Sequence, residues 1–340
     1  VKTAYEGDDA MKFLRMFSIV YVLLSALALP ETEYKTEQVI QVHCEEATGC
    51  FRLLEQALAT APEGAVVQIS SGIYYEHALV ITKSVRLQGV QEIGAHLPII
   101  TAVDQGPLLT VPSSPKPISV TIENLTLQNL VLSGLGLLVQ GASQSTSTSF
   151  PEVVLRGSWL FAADRAISVQ GKARLRLQES SIQAGNLPIE AQYGSHLIAI
   201  DNTITLSWPN EPLAPIGVIL LQDVEAVFEK NSISPQITAP RPQVPFGILA
   251  GGGKYSFSEN EIQQVGVGVI LVGKTNAAFN NNRIHDNMIG IALELPPCIP
   301  NPDPEIRFDG VITGSGNQLA NNSKGDLCPA DYPWPEGFRK

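Results

Sequence analysis

Across residues 150–320, apolar and polar positions alternate in short runs, the signature of strands rather than of an amphipathic helix. A slot holding Ser or Asn, with an aliphatic residue two places later, recurs seven times. The pairs are Ser158/Leu160, Ser180/Ile182, Asn202/Ile204, Asn231/Ile233, Asn260/Ile262, Asn282/Ile284 and Asn317/Leu319. Apolar or small residues stand five and three places before each slot: Val153/Leu155, Leu175/Leu177, Leu197/Ala199, Ala226/Phe228, Tyr255/Phe257 and Ala277/Phe279. The last rung departs from this, with Gly314 after Ile312. A further strand reads Gly-aliphatic-x-aliphatic at Gly136–Val139, Gly217–Leu220, Gly247–Ala250, Gly268–Leu271 and Gly290–Leu293, with variants at Ala166–Val169 and Pro188–Ala191. Successive slots are 22, 22, 29, 29, 22 and 35 residues apart. A coil of that length with these pairs closes as three short strands joined by turns, stacked at ~4.8 Å per rung. Aligned Asn side chains can then hydrogen-bond to one another and to turn backbone.

The longer spacings place the loops. Leu206–Pro215 and Ser234–Pro245 enlarge one corner of neighbouring rungs, while Gln140–Pro151 and Pro296–Phe308 enlarge another. The N-terminal half is less regular. Cys50–Ala61 predicts an amphipathic helix with Phe51, Leu54, Ala57 and Leu58 on one face, suited to cover the open end of the stack. Strand-like runs follow at Val66–Ile69, Leu79–Ile81, Val85–Leu87 and Pro98–Thr101. Val120–Leu127 fits the register if Leu125 takes the ladder slot.

Residues 11–28 combine Lys12 and Arg15 with an apolar core from Phe17 to Leu27 and a small-x-small end at Ala26-Leu27-Ala28, the layout of a signal peptide. The expected organisation is therefore an upstream extension over 1–10, the signal peptide over 11–28 and an N-terminal segment with capping helix over 29–63. The β-helix occupies 64–325 and a C-terminal tail 326–340. No membrane span is expected once the signal is removed. The four cysteines form two local pairs, and an even count in an exported chain favours disulfides Cys44–Cys50 and Cys298–Cys328. The expected location is secreted, periplasmic or cell-surface.

Charged residues make up 16% of the chain, low against the ~25% of globular proteins, as fits long buried sheets under a polar skin. The net charge of -11 argues against nucleic acid, which needs a basic footprint. With 5 His and 3 Met, none clustered, no metal or other cofactor is expected.

Residues 53–90, LLEQALATAPEGAVVQISSGIYYEHALVITKSVRLQGV, precede repeats such as GILAGGGKYSFSENEI and GVGVILVGKTNAAFNNNRI. Together these resemble the pectin-lyase-like superfamily, and within it right-handed β-helix repeat proteins of the NosD-like periplasmic type. The resemblance spans roughly residues 45–320. It implies an all-β, single-stranded right-handed parallel β-helix of three-strand rungs, about ten in number, with an N-terminal capping helix. Family members include polysaccharide lyases, hydrolases, esterases, epimerases and non-catalytic binders. Their WIDH, RxPxxR, GHG, DFIFG and DPHD segments are absent, so no catalytic residue carries over.

The middle residue of the Gly strand should face outward, giving the column Leu138, Ser168, Glu190, Ile219, Leu249, Ile270 and Ala292. Glu190 is its one carboxylate and, with Asp164, the candidate catalytic pair. Trp208 and Glu211 in the 206–215 loop, with Arg165, Arg174, Arg176 and His196, are the candidate substrate-binding residues. Rung-to-rung ion pairing, such as Glu152 with Arg174, is the plainer account of the surface charges. The apolar positions Ile219, Leu249 and Ile270 suit coverage by Pro-rich loops or self-association. The leading expectation is a non-catalytic scaffold or binder for a polysaccharide or a cell-surface protein. The alternative is a polysaccharide lyase or glycoside hydrolase with a divergent site.

Overall fold

The computed structural model describes residues 38–42, 53–91, 93–142, 150–207, 214–236, 245–298, 301–303 and 306–338. Within them the chain winds through three parallel sheets, one of 11 strands and two of 10. In each regular rung the chain passes from sheet A through the slot residue into sheet B, then through a second corner into sheet C. One such rung is Arg174–Gln178, Ser181–Ala184 and Leu187–Gln192. Every strand pairs in parallel with its counterpart one rung away.

The alternating columns stack in register. Val153, Leu175, Leu197, Ala226, Tyr255, Ala277 and Ile312 are successive partners in sheet A, and Leu155, Leu177, Ala199, Phe228, Phe257, Phe279 and Gly314 form the next inward column. Leu160, Ile182, Ile204, Ile233, Ile262, Ile284 and Leu319 do the same in sheet B. Apart from half-buried Gly314, these residues are buried in one continuous core. The Gly strand has a steric cause. A Cβ on Gly268 would stand 2.6 Å from the carbonyl oxygen of Gly290 and 2.6 Å from Ile284 of sheet B.

The slot column is a hydrogen-bonded ladder. The residue before each slot turns left-handed, with φ of 50° at Glu179 and 55° at Asp201, Lys230, Glu259 and Asn281. For a non-glycine residue that conformation costs about 1–2 kcal/mol. It leaves the slot N–H pointing along the stack, where the next rung's side chain accepts it. Asn202 N–H donates to Asn231 Oδ1, Asn231 N–H to Asn260 Oδ1 and Asn260 N–H to Asn282 Oδ1, each at 3.0 Å. Each amide nitrogen also donates to that same oxygen and to a backbone carbonyl, as Asn231 does to Ala199 at 2.8 Å. Ser180, Ser158 and Leu125 extend the column below, and Asn317 closes it above. A shorter ladder runs at the corner between sheets B and C, where Val265 N–H donates to Asn287 Oδ1 and Asn287 N–H to Asn322 Oδ1.

Both ends are closed. The helix spans Leu54–Thr60 and buries Leu54, Ala57 and Leu58. Glu76 accepts the Leu54 N–H at its start, at 2.7 Å, and Lys83 donates to the Ala61 carbonyl at its end, at 2.6 Å. Charges of these signs complement the helix dipole. A strand of sheet A, Val39–Val42, comes before this helix, so the stack begins earlier in the chain than residue 64. The far end differs from the simple tail expected over 326–340. Gly325–Cys328 is the last strand of sheet C, and Trp334 and Phe338 are buried beyond it. Phe338 packs edge-on against Phe279 with centroids 5.7 Å apart, ending the interior column Phe228–Phe257–Phe279. Gly314, with φ 141°, is needed beneath this cap, because a Cβ there would stand 1.8 Å from the Phe279 carbonyl oxygen.

Candidate functional site

The outer column of sheet C changes character along the stack. Leu138, Ser168, Glu190, Ile219, Leu249, Ile270 and Ala292 are consecutive register partners. Strand alternation points them away from the core. At Ser168 and Glu190 the face is a polar network. Glu190 Oε2 accepts from Ser168 Oγ at 3.0 Å and from the Arg165 guanidinium at 3.3 Å, and its Oε1 accepts from Gln192 Nε2 at 2.8 Å. Gln170 Nε2 donates to Ser168 Oγ at 3.1 Å. The same guanidinium reaches Asp164 at 3.4 Å, whose other oxygen accepts from Asn186 Nδ2 at 2.7 Å. Asp164, Arg165 and Glu190 thus form one cluster. Its carboxylates are largely covered, at 12% and 23% exposed, while the guanidinium is 40% exposed.

Three further candidates stand elsewhere. Arg174, Arg176 and His196 stand on the outer face of sheet A, a separate surface, with Arg174 and His196 register partners. Among the described residues Glu152 and Arg174 form no ion pair, and Arg174 instead lies over the Phe150 ring at 6.0 Å. Glu225 pairs there with Lys254 at 3.1 Å. Trp208, Glu211 and the Cys44–Cys50 pair lie outside the described residues. Among the described residues no three His, Cys, Asp or Glu side chains converge as a metal would require, and no helix is long and apolar enough to cross a membrane.

From Ile219 upward the same column is apolar. Ile270 and Ala292 are buried, and with Val267, Ile289 and Cys298 they make a second apolar cluster outside the β-helix core. The 294–298 segment lies over this face, fixed by the Cys298–Cys328 disulfide. Buried Glu294 holds the following loop by accepting from the backbone N–H groups of Asn301 and Phe308. Ile270 is therefore not part of the surface, while Ile219 and Leu249 are half-buried.

The reading of the sequence passes over Trp159 and takes His285-Asp286, after the Ile284 slot, for a turn. Trp159 is 53% exposed on the outer face of sheet B, with Phe161 beside it at 6.1 Å. Its position between the slot residue Ser158 and the inward Leu160 carried that signal, since strand parity turns it outward. At the top of the same sheet His285 sits between two carboxylates, 2.6 Å from Asp286 and 3.2 Å from Glu261, and Arg283 also reaches Glu261 at 3.1 Å. The hydrogen bond from His285 holds the Asp286 carboxyl below the usual range.

No protein-family model matches the chain, and no curated protein is significantly similar to it. Solved structures do match in shape. A pectin methylesterase from carrot superposes with a TM-score of 0.55 at 12% identity, over 87% of this chain and 90% of that one. The pectin methylesterase PemA from Erwinia chrysanthemi gives 0.49 at 13% identity, over 85% and 93%. The pectate lyase Pel9A gives 0.43 at 8% identity, over 86% and 79%. The fold is a right-handed parallel β-helix of three sheets, shared with the carrot protein.

Proposed function

We propose that this is an exported β-helix protein that binds a polysaccharide along the outer face of sheet C without cleaving it. One observation carries the non-catalytic part. The two carboxylates share a single guanidinium, three of their four oxygens accept hydrogen bonds from protein donors, and the fourth, on Asp164, is ion-paired to Arg165 at 3.4 Å. Glycoside hydrolysis needs one carboxyl free to reach the leaving oxygen and another free to act on water or sugar. A network closed on itself suits orientation instead, presenting the outer edge of Arg165 and the neighbouring amides to a hydroxyl-rich ligand. The Cys298–Cys328 disulfide fits an oxidising compartment: secreted, periplasmic or cell-surface.

The second reading is a lyase or hydrolase centred on Glu190 and Asp164. It draws on the meeting of two carboxylates beside a serine hydroxyl, and on a fold shared with a carrot pectin methylesterase. A panel of acidic and neutral polysaccharides, assayed for both retention and product release, separates the two. Retention weakened by Arg165→Ala, with no product from the wild type, is the expected result. Product release that disappears in Glu190→Gln would replace the first reading by the second.

A further inference from the structure

The outer face of sheet B carries a separate groove of about 690 Å³ in the lower half of the stack. Trp159 and Phe161 form one wall, and Thr126 and Gln128 are their register partners on the preceding rung. Asn124, His96 and Gln91 add to the polar rim, the Gln91 amide donating to the Ala95 carbonyl at 2.7 Å. Among the described residues lining it there is no carboxylate, lysine or arginine.

Three properties define an occupant. First, the indole is more than half exposed on a strand of a protein whose core is otherwise complete, so Trp159 does not serve the interior. An exposed aromatic ring offers a flat apolar surface beside hydrogen-bonding groups. Second, among the described residues the side chains of Thr126, Gln128 and His96 donate to and accept from no protein group. On sheet C the corresponding amides of Gln170 and Gln192 are engaged. Free donors and acceptors beside a stacking ring can satisfy hydroxyls on both edges of a pyranose. Third, the described lining carries no fixed charge, although the protein as a whole is strongly acidic. An anionic sugar would find no cation here, and a cationic ligand no carboxylate. An apolar peptide or a second copy of the chain would bury the free amide and hydroxyls without partners.

We infer that the Trp159 groove on sheet B is a binding site for a neutral glycan, one sugar ring stacked on Trp159 and its hydroxyls bonded to Gln128, Thr126 and Asn124. The inference does not depend on sheet C. Arg165 and Glu190 belong to a different face, so the two sites fail independently.

The test is calorimetric titration of the full chain with neutral hexasaccharides: β-1,4-linked glucose, β-1,3-linked glucose, β-1,4-linked mannose and β-1,4-linked xylose. An oligogalacturonate of the same length serves as the charged comparison. At least one neutral hexasaccharide should bind more tightly than the charged one. Trp159→Ala should weaken that binding about tenfold or more, a loss of about 1.4 kcal/mol, with an unchanged thermal midpoint. Trp159→Phe should retain most of the affinity, and Lys254→Ala, on the outer face of sheet A, should leave it as in the wild type. Should Trp159→Ala fail to fold, Gln128→Ala takes its place, with weaker binding again expected. The inference is overturned if no neutral hexasaccharide binds, if binding survives the loss of the indole or of the Gln128 amide, or if Arg165→Ala abolishes it.

Discussion

The Trp159 rungs of sheet B and the Glu190 rungs of sheet C carry similar polar residue types on their outer faces and use them in opposite ways. On sheet C, Gln170, Ser168, Glu190 and Gln192 bond to one another, with Arg165 joining them to Asp164. On sheet B, Thr126 and Gln128 stand beside an exposed indole with their polar atoms turned outward. The backbones are equivalent, since both faces are in-register parallel strands of one coil. The difference teaches that polar content on a β-helix face does not by itself say how that face meets a ligand. What matters is whether neighbouring rungs have already satisfied it. A closed network gives rigidity and a fixed orientation, whereas an open one leaves hydrogen-bonding capacity for a ligand.

The comparison can be broken most severely at its shared support. Asn231→Ala removes the acceptor of the buried Asn202 N–H and amide, and leaves Asn260 Oδ1 without its donor from that side chain. A destabilisation of about 2–4 kcal/mol is expected from such unpaired buried groups. Urea unfolding would measure it, and both faces should lose their ligands together. A loss below 1 kcal/mol would mean that the ladder is not what holds the turns.

Next in size is the closed face itself. Glu190→Ala strands the Ser168 hydroxyl and the Gln192 amide and unpairs one side of Arg165, and should cost about 1–3 kcal/mol. A double-mutant cycle of Ser168→Ala with Glu190→Ala should return a coupling of about 0.5–1.5 kcal/mol. Additive effects would mean that the network is geometry without energy. On the open face the contrary is expected. Gln128→Ala, which breaks no side-chain hydrogen bond among the described residues, should leave stability within about 0.5 kcal/mol of wild type.

The smallest effect concerns the charged top of sheet B. The Asp286 carboxyl is held below its ordinary value by His285. Its contribution is therefore present above the unfolded carboxylate range and is lost as the pH falls through the folded value. Asp286→Asn should flatten the acid limb of the stability profile slightly. Backbone amide exchange in Arg283–His285, measured between pH 5 and pH 2 or thereabouts, should respond while the Trp159 rung does not. An equal response at both places would remove the distinction between the charged and uncharged ends of this sheet.

Much of this architecture was legible in the residues. Asn202, Asn231, Asn260 and Asn282 announce a column because each rung repeats the same left-handed turn and the same orphan N–H. Asn287 and Asn322 make the same device at another corner. They were hidden because only two rungs carry it and an insertion of uneven length separates them. Trp334 and Phe338 looked like a tail because nothing periodic marks a cap, and the interior aromatic they meet, Phe279, is far away in sequence. Glu190 was identifiable as an outward carboxylate. That Ser168, Gln192 and Arg165 would all reach it depends on side-chain directions across two rungs, which parity does not specify.

The chain's own order of residues thus determined the coil, its register and its inward columns. In a stack of parallel in-register strands, the neighbour across the ladder is the residue of the same phase one repeat away, so periodicity alone names the contacts. Only the folded arrangement decided which outward groups are consumed by one another, which remain open, and which lie under the segment held by Cys298–Cys328. Those outcomes depend on rotamers, corner turns and irregular loops, where no repeat constrains what meets what.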